Sequence, residues 1–388
     1  MDSHSLWLAT SPPSPSYPRG ADVPSGLHVD VVVVGGGITG ITAALLLQRA
    51  GKKVALLEAR RVAEGDSAKT TAHLTEAVDA RYHQLAKDFG SEAAREVGRS
   101  SRAAIEQIVA LAAEHRLACD LKRVPGYLYS ESESDLEMLH AEYEAAKAAG
   151  VDADMTRDVP LPFRTIGAVR FPNQAELHVR KYLVPLGEAF VAGGGLIFES
   201  ARVRDIHDGE PCKVTLEGGQ TMTAGDVIMA AYAPLNRVAI QTKIAHYRSY
   251  AIAFPAKVDV AHALFWDTDD PYHYTRTQMI GGERWLIVGG EDHKTGQDHD
   301  TLGCYARLAA YATKRFGEVT IGYQWSGQII EPMDGLPFIG KNPGAAHVLV
   351  ATAYSGNGMT FGTLAGMLLS DQVLGRDNRG PSFTARRA

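Results

Sequence analysis

His28–Val34 is dominated by β-branched residues and runs directly into Gly35-Gly36-Gly37-Ile38-Thr39-Gly40. Such a run reads as a strand buried on both faces, as in a parallel sheet. Ile41–Ala50 follows with a strong helical pattern, and Gly51 stands where a helix C-cap belongs. Lys53–Leu57 is a second apolar strand that ends in Glu58, 18 residues after Gly40. Together these make one βαβ unit of about thirty residues. Gly35 permits the tight turn, Gly37 lets the backbone approach a pyrophosphate, and Gly40 lets helix and strand pack closely. The N-terminus of the helix then offers N–H groups and a partial positive charge to phosphates. Glu58 stands where an acid accepts hydrogen bonds from ribose hydroxyls. The alternative is a glycine-rich βα turn without ligand, and the fingerprint by itself does not separate FAD from NAD.

The chain has 388 residues, 45% hydrophobic and 22% charged, which excludes wholesale disorder and leaves material for about two to three domains. A net charge of −6 gives no electrostatic reason to expect nucleic acid or an anionic membrane as partner. Cys119, Cys212 and Cys304 are far apart, so no disulfide framework, structural zinc or iron–sulfur cluster is expected. That usage fits a reducing cytoplasm. Met1–Gly20 lacks the layout of a signal peptide, and no apolar run approaches the ~20 residues of a membrane span.

Residues 1–27 read as an irregular leader rich in Pro, Ser and Gly, with Trp7 and Tyr17 pinning it to the surface. Residues 84–117 and 132–149 carry helical patterns, 151–172 reads as a connection, and 178–192 is a helix closed by Gly193–Gly195. Short strands follow at Leu196–Phe198, Val203–Ile206, Val214–Leu216 and Asp226–Ala230. Alternating and aromatic stretches across 247–290 predict an antiparallel sheet. Thr301–Arg315 is helical, His347–Ala351 is a last buried strand, and 376–388 is a tail.

Asp334-Gly335-Leu336-Pro337-Phe338-Ile339-Gly340 precedes that last strand, and Ala353-Tyr354-Ser355-Gly356-Asn357-Gly358-Met359-Thr360 follows it, leading into a helix. This arrangement resembles the C-terminal motif of the D-amino-acid-oxidase superfamily of FAD-dependent oxidoreductases. The resemblance spans about Asp30 to Leu374 and is strongest to the bacterial branch that often carries a Rieske domain; it also extends to γ-glutamylputrescine oxidase. Further matching stretches are Ser5-Leu6-Trp7, Lys69-Thr70-Thr71-Ala72, Phe171-Pro172-Asn173-Gln174-Ala175 and Gly289-Gly290-Glu291-Asp292-His293-Lys294. No Cys/His cluster precedes Ala388, so no Rieske centre is expected within the sequence.

The resemblance implies FAD. Gly356, Asn357, Gly358, Met359 and Thr360 would contact the flavin ring, where a helix N-terminus favours negative charge. Gly35, Gly37, Ile38, Thr39, Gly40, Glu58, Ala59 and Arg60 would hold the adenosine and pyrophosphate, with Arg61 nearby. Lys69, Thr70, Thr71 and Ala72 would pass the pyrophosphate and flavin. Val203 would grip adenine, and Ala230 and Ala231 would end a strand beside the cofactor. Noncovalent FAD is expected: His73 lies about four residues past the covalent histidine of some relatives, and Cys304 lies well upstream of the late cysteine of others.

Relatives that oxidise amino acids place a carboxylate-clamping arginine before the Asp-Gly-x-Pro turn; here the stretch is Trp325-Ser326-Gly327-Gln328. That favours an amine substrate, with Trp325 as a cation–π wall worth roughly 0.5–2 kcal/mol and Gln328 beside it. Arg276 is a displaced clamp or a structural arginine. His178 is a catalytic base or a helix-capping histidine. Tyr274 and Tyr250 line the cavity or pack in the core. Ile287 or Val288 occupies the place of a relative's oxygen-activating lysine, leaving Lys69 and Lys294 as substitutes and the electron acceptor, oxygen or another, open.

The expected fold class is α/β, α+β overall: an FAD-binding Rossmann-like domain intertwined with a substrate domain built on an antiparallel sheet. The first would comprise 28–80, 172–235 and 329–375, and the second 81–171 and 236–328. The expected function is a cytoplasmic, FAD-dependent amine oxidase or dehydrogenase that passes hydride to flavin N5 and releases an imine. The alternatives are an amino-acid oxidase clamped by Arg276, or a flavoprotein subunit that works with a partner.

Overall fold

The computed structural model describes residues 5–231 and 238–376. Its first sheet has eight strands, and His28–Val34 lies at its centre. That strand pairs in parallel with Val54–Leu57 on one side and Thr221–Met229 on the other. Leu196–Phe198 extends the sheet beyond Val54–Leu57, and Val348–Thr352 extends it beyond Thr221–Met229, both in parallel. Phe338–Lys341 closes one edge antiparallel to Val348–Thr352. Val203–His207 and Cys212–Leu216 form an antiparallel pair joined to Thr221–Met229. Both faces are covered, which explains the apolar runs: Val31, Val32 and Val33 are all essentially inaccessible.

The helices Ile38–Arg49 and Gly358–Val373 pack against each other on one face. Small residues set their distance. A Cβ on Gly362 would lie 2.6 Å from the Ile38 side chain, and one on Gly366 would lie 2.8 Å from Thr42.

The second sheet has nine strands. Tyr323–Pro332, Ile244–Pro255, Glu283–Lys294, Tyr274–Ile280 and Leu264–Trp266 run antiparallel in that order. Leu264–Trp266 then joins Lys122–Ser130 in parallel, and Gly167–Glu176 and His73–Leu74 complete the row. Asp154–Thr156 pairs with Gly167–Glu176. The helix Thr301–Phe316 covers this sheet through Leu308, Ala312 and Phe316.

The mixed α/β fold agrees with the sequence reading, with several local differences. The helical stretch 84–117 is two helices, Tyr82–Phe89 and Ser91–Glu114, separated at Gly90, whose φ of 88° ends the first. The connection 151–172 contains the strand Asp154–Thr156 and the start of Gly167–Glu176. The expected boundaries at 171/172 and 328/329 fall inside strands of the second sheet, Gly167–Glu176 and Tyr323–Pro332. The leader is not irregular throughout: Leu6–Thr10 is helical, and Leu6 and Trp7 are completely buried. An indole that reaches a backbone carbonyl is as well satisfied in a core as at a surface, and the leader follows its tryptophan inward. Residues 1–4, 232–237 and 377–388, assigned from sequence to the leader, the two domains and the tail, lie outside the described residues.

Candidate cofactor and substrate site

A cavity of about 630 Å³ opens between the two sheets. The first strand ends in it, delivering Gly35, Gly36 and Gly37 to its wall, and the helix Ile38–Arg49 starts there with Gly37 as its N-cap. Gly35 has φ 112°, and a Cβ on it would lie 2.6 Å from the Ala230 carbonyl oxygen. Only glycine fits that conformation and that approach. The Glu58 carboxylate accepts the Gly36 N–H through Oε2 and the Arg60 N–H through Oε1, each at 2.7 Å. Ser67, unremarked in the sequence, accepts the Ile38 N–H at 3.0 Å. A Cβ on Gly37 would meet that same hydroxyl at 2.9 Å. Thr39, Ala59, Arg60, Val203, Ala230 and Ala231 complete this end of the wall. A bare turn, a helix N-terminus and a carboxylate-bearing strand end fit the pyrophosphate and ribose of a dinucleotide.

Gly40 lies behind the wall: a Cβ there would stand 1.8 Å from the Gly35 carbonyl oxygen, so its role is packing.

The other end of the cavity is built on the turn before the last helix. Gly356, Asn357, Gly358 and Met359 line it. Asp79 holds this turn: its carboxylate accepts the Gly356 N–H at 2.6 Å, and its own N–H donates to Asn357 Oδ1 at 3.0 Å. Burial raises the Asp79 carboxyl above its ordinary range, against the Gly356 N–H and Arg81. Tyr354 and Thr39 join the two helix starts by a 3.0 Å hydroxyl contact. Thr360 is fully buried and donates to the Thr75 carbonyl at 3.4 Å, so it braces the turn from behind.

Lys69, Thr70 and Thr71 line the cavity, and their carbonyls are held by distant residues. Trp325 Nε1 donates to Lys69 O at 2.8 Å and Trp7 Nε1 to Thr70 O at 2.6 Å. Arg276 Nη1 donates to Thr71 O and Ala72 O, both at 3.1 Å. Ala72 is buried behind the loop and does not line the cavity. Lys69 Nζ pairs with Asp66 at 3.2 Å, and Lys294 is exposed beside the Tyr247 ring.

Trp325, Gln328 and Tyr274 line the cavity, together with Trp266, Tyr272 and Tyr250. Gln328 Nε2 lies 3.1 Å from His246 Nδ1. His73 lies edge-on to Tyr274, with ring centroids 5.8 Å apart, and its Nε2 has no hydrogen-bond partner. Burial and the nearby Arg276 push its pKa down to about 3. Arg248, which the sequence did not single out, also faces the cavity and donates to Ser326 Oγ at 2.9 Å.

Two sequence candidates stand elsewhere. Arg276 is 0% exposed, and all three guanidinium nitrogens are engaged: Nε with Thr277 O, Nη1 with three carbonyls including Leu177 O, and Nη2 with Gln278. Glu176 lies 3.3 Å from Nε. It cannot clamp a substrate carboxylate, because none of its donors faces the cavity. His178 caps the helix Val179–Ala192 through Nδ1, which accepts the Lys181 N–H at 3.3 Å, and its Nε2 lies 3.0 Å from Thr10 Oγ1. With both nitrogens used and no place on the cavity wall, it is a structural cap and not a base.

The family model DAO, described as FAD dependent oxidoreductase, matches residues 30–372. A Rieske 2Fe-2S iron-sulfur protein of Bacillus subtilis strain 168, YhfW, is 32% identical over 372 residues, covering 95% of this chain and 72% of its own length. Gamma-glutamylputrescine oxidoreductase of Escherichia coli K12 is 25% identical, covering 91% of this chain and 85% of its own. Among solved structures, glycine oxidase from Geobacillus kaustophilus superposes with a TM-score of 0.79 at 20% identity, over 93% of this chain and 99% of that one. No described helix is long and apolar enough to cross a membrane. The chain belongs to the DAO family of FAD-dependent oxidoreductases, and FAD is its cofactor.

Proposed function

We propose that this chain oxidises the C–N bond of an amine, with substrate held in the aromatic end of the cavity. The observation that carries the reading is the chamber formed by Trp325, Trp266, Tyr272 and Tyr274 beside the turn Gly356–Met359. When bound, FAD supplies the hydride acceptor for such an oxidation, and the resulting imine hydrolyses in water. The chain's own residues do the rest. Aromatic faces attract an ammonium group and exclude water. The start of the helix Gly358–Val373 brings its positive dipole end to this side of the cavity. Glu58, Ser67 and the glycine turn fix the other end of the cofactor, and noncovalent attachment is part of the proposal. Gamma-glutamylputrescine oxidoreductase, a relative along most of the chain, supports an amine.

A second reading rests on Arg248. It is a guanidinium on the cavity wall, where Arg276 is not, and it would hold the carboxylate of an amino acid.

An anaerobic visible spectrum of the FAD-loaded protein, titrated with γ-glutamylputrescine, other amines and amino acids, separates these readings. Bleaching by amines alone supports the first, and bleaching by amino acids that is lost in Arg248→Ala supports the second. A flavin band that no C–N substrate bleaches would sink both. Acid precipitation that leaves the yellow colour in the pellet would overturn noncovalent attachment.

A further inference from the structure

Arg276 has no donor free for a substrate, but hydrogen bonds to carbonyls do not cancel its charge. The guanidinium stands directly against the loop that lines the cavity. Its Nη1 donates to Thr71 O and Ala72 O, each at 3.1 Å, and Thr71 is on the cavity wall. Another edge of the same group faces an anion: Nε lies 3.3 Å from Glu176 Oε2. Glu176 is 2% exposed and sits opposite His73 in the strand register. Its Oε1 lies 3.6 Å from His262 Nδ1.

The pair is sealed from water. Arg276 is 0% exposed, and its guanidinium lies 5.5 Å from the centre of the Trp7 ring. The next charges outward compensate each other. Gln278 joins Arg276 Nη2 to Asp120, at 2.6 and 3.2 Å, and Asp120 pairs with Lys181 at 2.9 Å. A charge buried in this way is poorly screened and acts across several ångströms. Its field is felt on the cavity wall, where burial and then Arg276 push the His73 imidazole down to about 3.

We propose that the Arg276–Glu176 pair sets the electron affinity of the bound flavin: the guanidinium, held against the cavity loop, raises it, and the Glu176 carboxylate limits the rise. Acceptance of a hydride brings two electrons and one proton to the cofactor, and so adds one negative charge to the cavity. A buried cation beside the loop lowers the energy of that charge, and a buried anion raises it. No proton moves to or from Arg276 or Glu176, and neither touches the reacting atoms. Both act by position, as fixed charges that tune a cofactor's electronics. One buried charge more or less, felt through an effective dielectric of about 20, changes the ratio of reduced to oxidised flavin by roughly tenfold.

The test uses the FAD-loaded protein and no substrate, so it stands or falls apart from the C–N reading. The protein is reduced slowly, without oxygen, beside a two-electron reference dye. The ratio of reduced to oxidised flavin is read when the dye is half reduced. Glu176→Gln removes the anion and keeps the shape, and the ratio should rise about tenfold above the wild type. Arg276→Met removes the cation, and the ratio should fall about tenfold. Arg276→Lys keeps the charge and should return the ratio toward the wild type. If Arg276→Met gives no folded holoprotein, the rise in Glu176→Gln carries the test alone. A ratio in Glu176→Gln that is unchanged or lower overturns the proposal, as does a wild-type ratio in Arg276→Met. A fall shared by both variants would mean loosened packing around the loop, and it overturns the proposal equally.

Discussion

Trp325 donates its indole N–H to the Lys69 carbonyl across 2.8 Å, and so ties the second sheet to the loop that passes the cavity. Trp325 is 3% exposed, so the bond is shielded from water. Trp325→Phe keeps most of the ring and removes the donor, leaving Lys69 O without this partner. The expected cost is about 1 kcal/mol of stability. FAD affinity should weaken by roughly three- to tenfold, read by fluorescence titration of the apoprotein. An unchanged affinity would mean that the loop holds its shape without the tryptophan.

Glu58 accepts two backbone N–H groups with one carboxylate, and both bonds shape the glycine turn on the cavity wall. In Glu58→Ala, Gly36 and Arg60 lose their partners, which costs about 1–3 kcal/mol. The loss should appear as FAD binding weakened roughly 10- to 100-fold, measured by calorimetry. Equal affinity in the variant would remove Glu58 from the binding site.

Arg276→Ala should not give a selective defect toward carboxylate substrates. The guanidinium holds Thr71, Ala72 and Leu177 by their carbonyls and faces Glu176 in the core. Removing it leaves the buried Glu176 with only His262, 3.6 Å from its Oε1, at a cost of about 3–5 kcal/mol. Urea denaturation should show that loss for apoprotein and holoprotein alike. A stable variant that lost only amino-acid turnover would restore Arg276 as a clamp.

His178 gives the fold a defined acid sensitivity. Burial, reinforced by Lys181, lowers its pKa from 6.5 to about 4. Between those values the unfolded chain binds the proton and the folded chain does not, so stability rises with pH. Its contribution is fully present above 6.5 and is lost as pH falls through that window to about 4. The slope corresponds to roughly 2–3 kcal/mol across the window. In His178→Asn, which keeps a helix-capping acceptor, denaturation curves at pH 7 and pH 4.5 should differ less than in the wild type. An equal difference would assign the acid sensitivity to other groups.

Local pattern carried the reading of the fold where neighbours in sequence are neighbours in space. The βαβ unit from His28 to Glu58 and the motif from Asp334 into the last helix each declare themselves within some thirty residues, by periodicity and glycine spacing. Arg276 and His178 could not be read that way. Arg276 meets partners 205 and 204 positions away in Thr71 and Ala72, and His178 meets Thr10 at 168. Whether a donor is spent on the core or free in a cavity is decided by those distant partners. Ser67 and Arg248 escaped notice for the same reason, since neither belongs to a motif.

The contact between Thr39 and Tyr354 spans 315 residues. At synthesis rates of about 5–20 residues per second, the second residue leaves the ribosome roughly 15–60 s after the first. Throughout that interval the opening strand and its glycine turn exist without the strand Val348–Thr352 and the helix that follows it. The nascent chain therefore has half of its cofactor chamber and none of its flavin turn. Assembly of the whole chamber therefore waits for the helix Gly358–Val373.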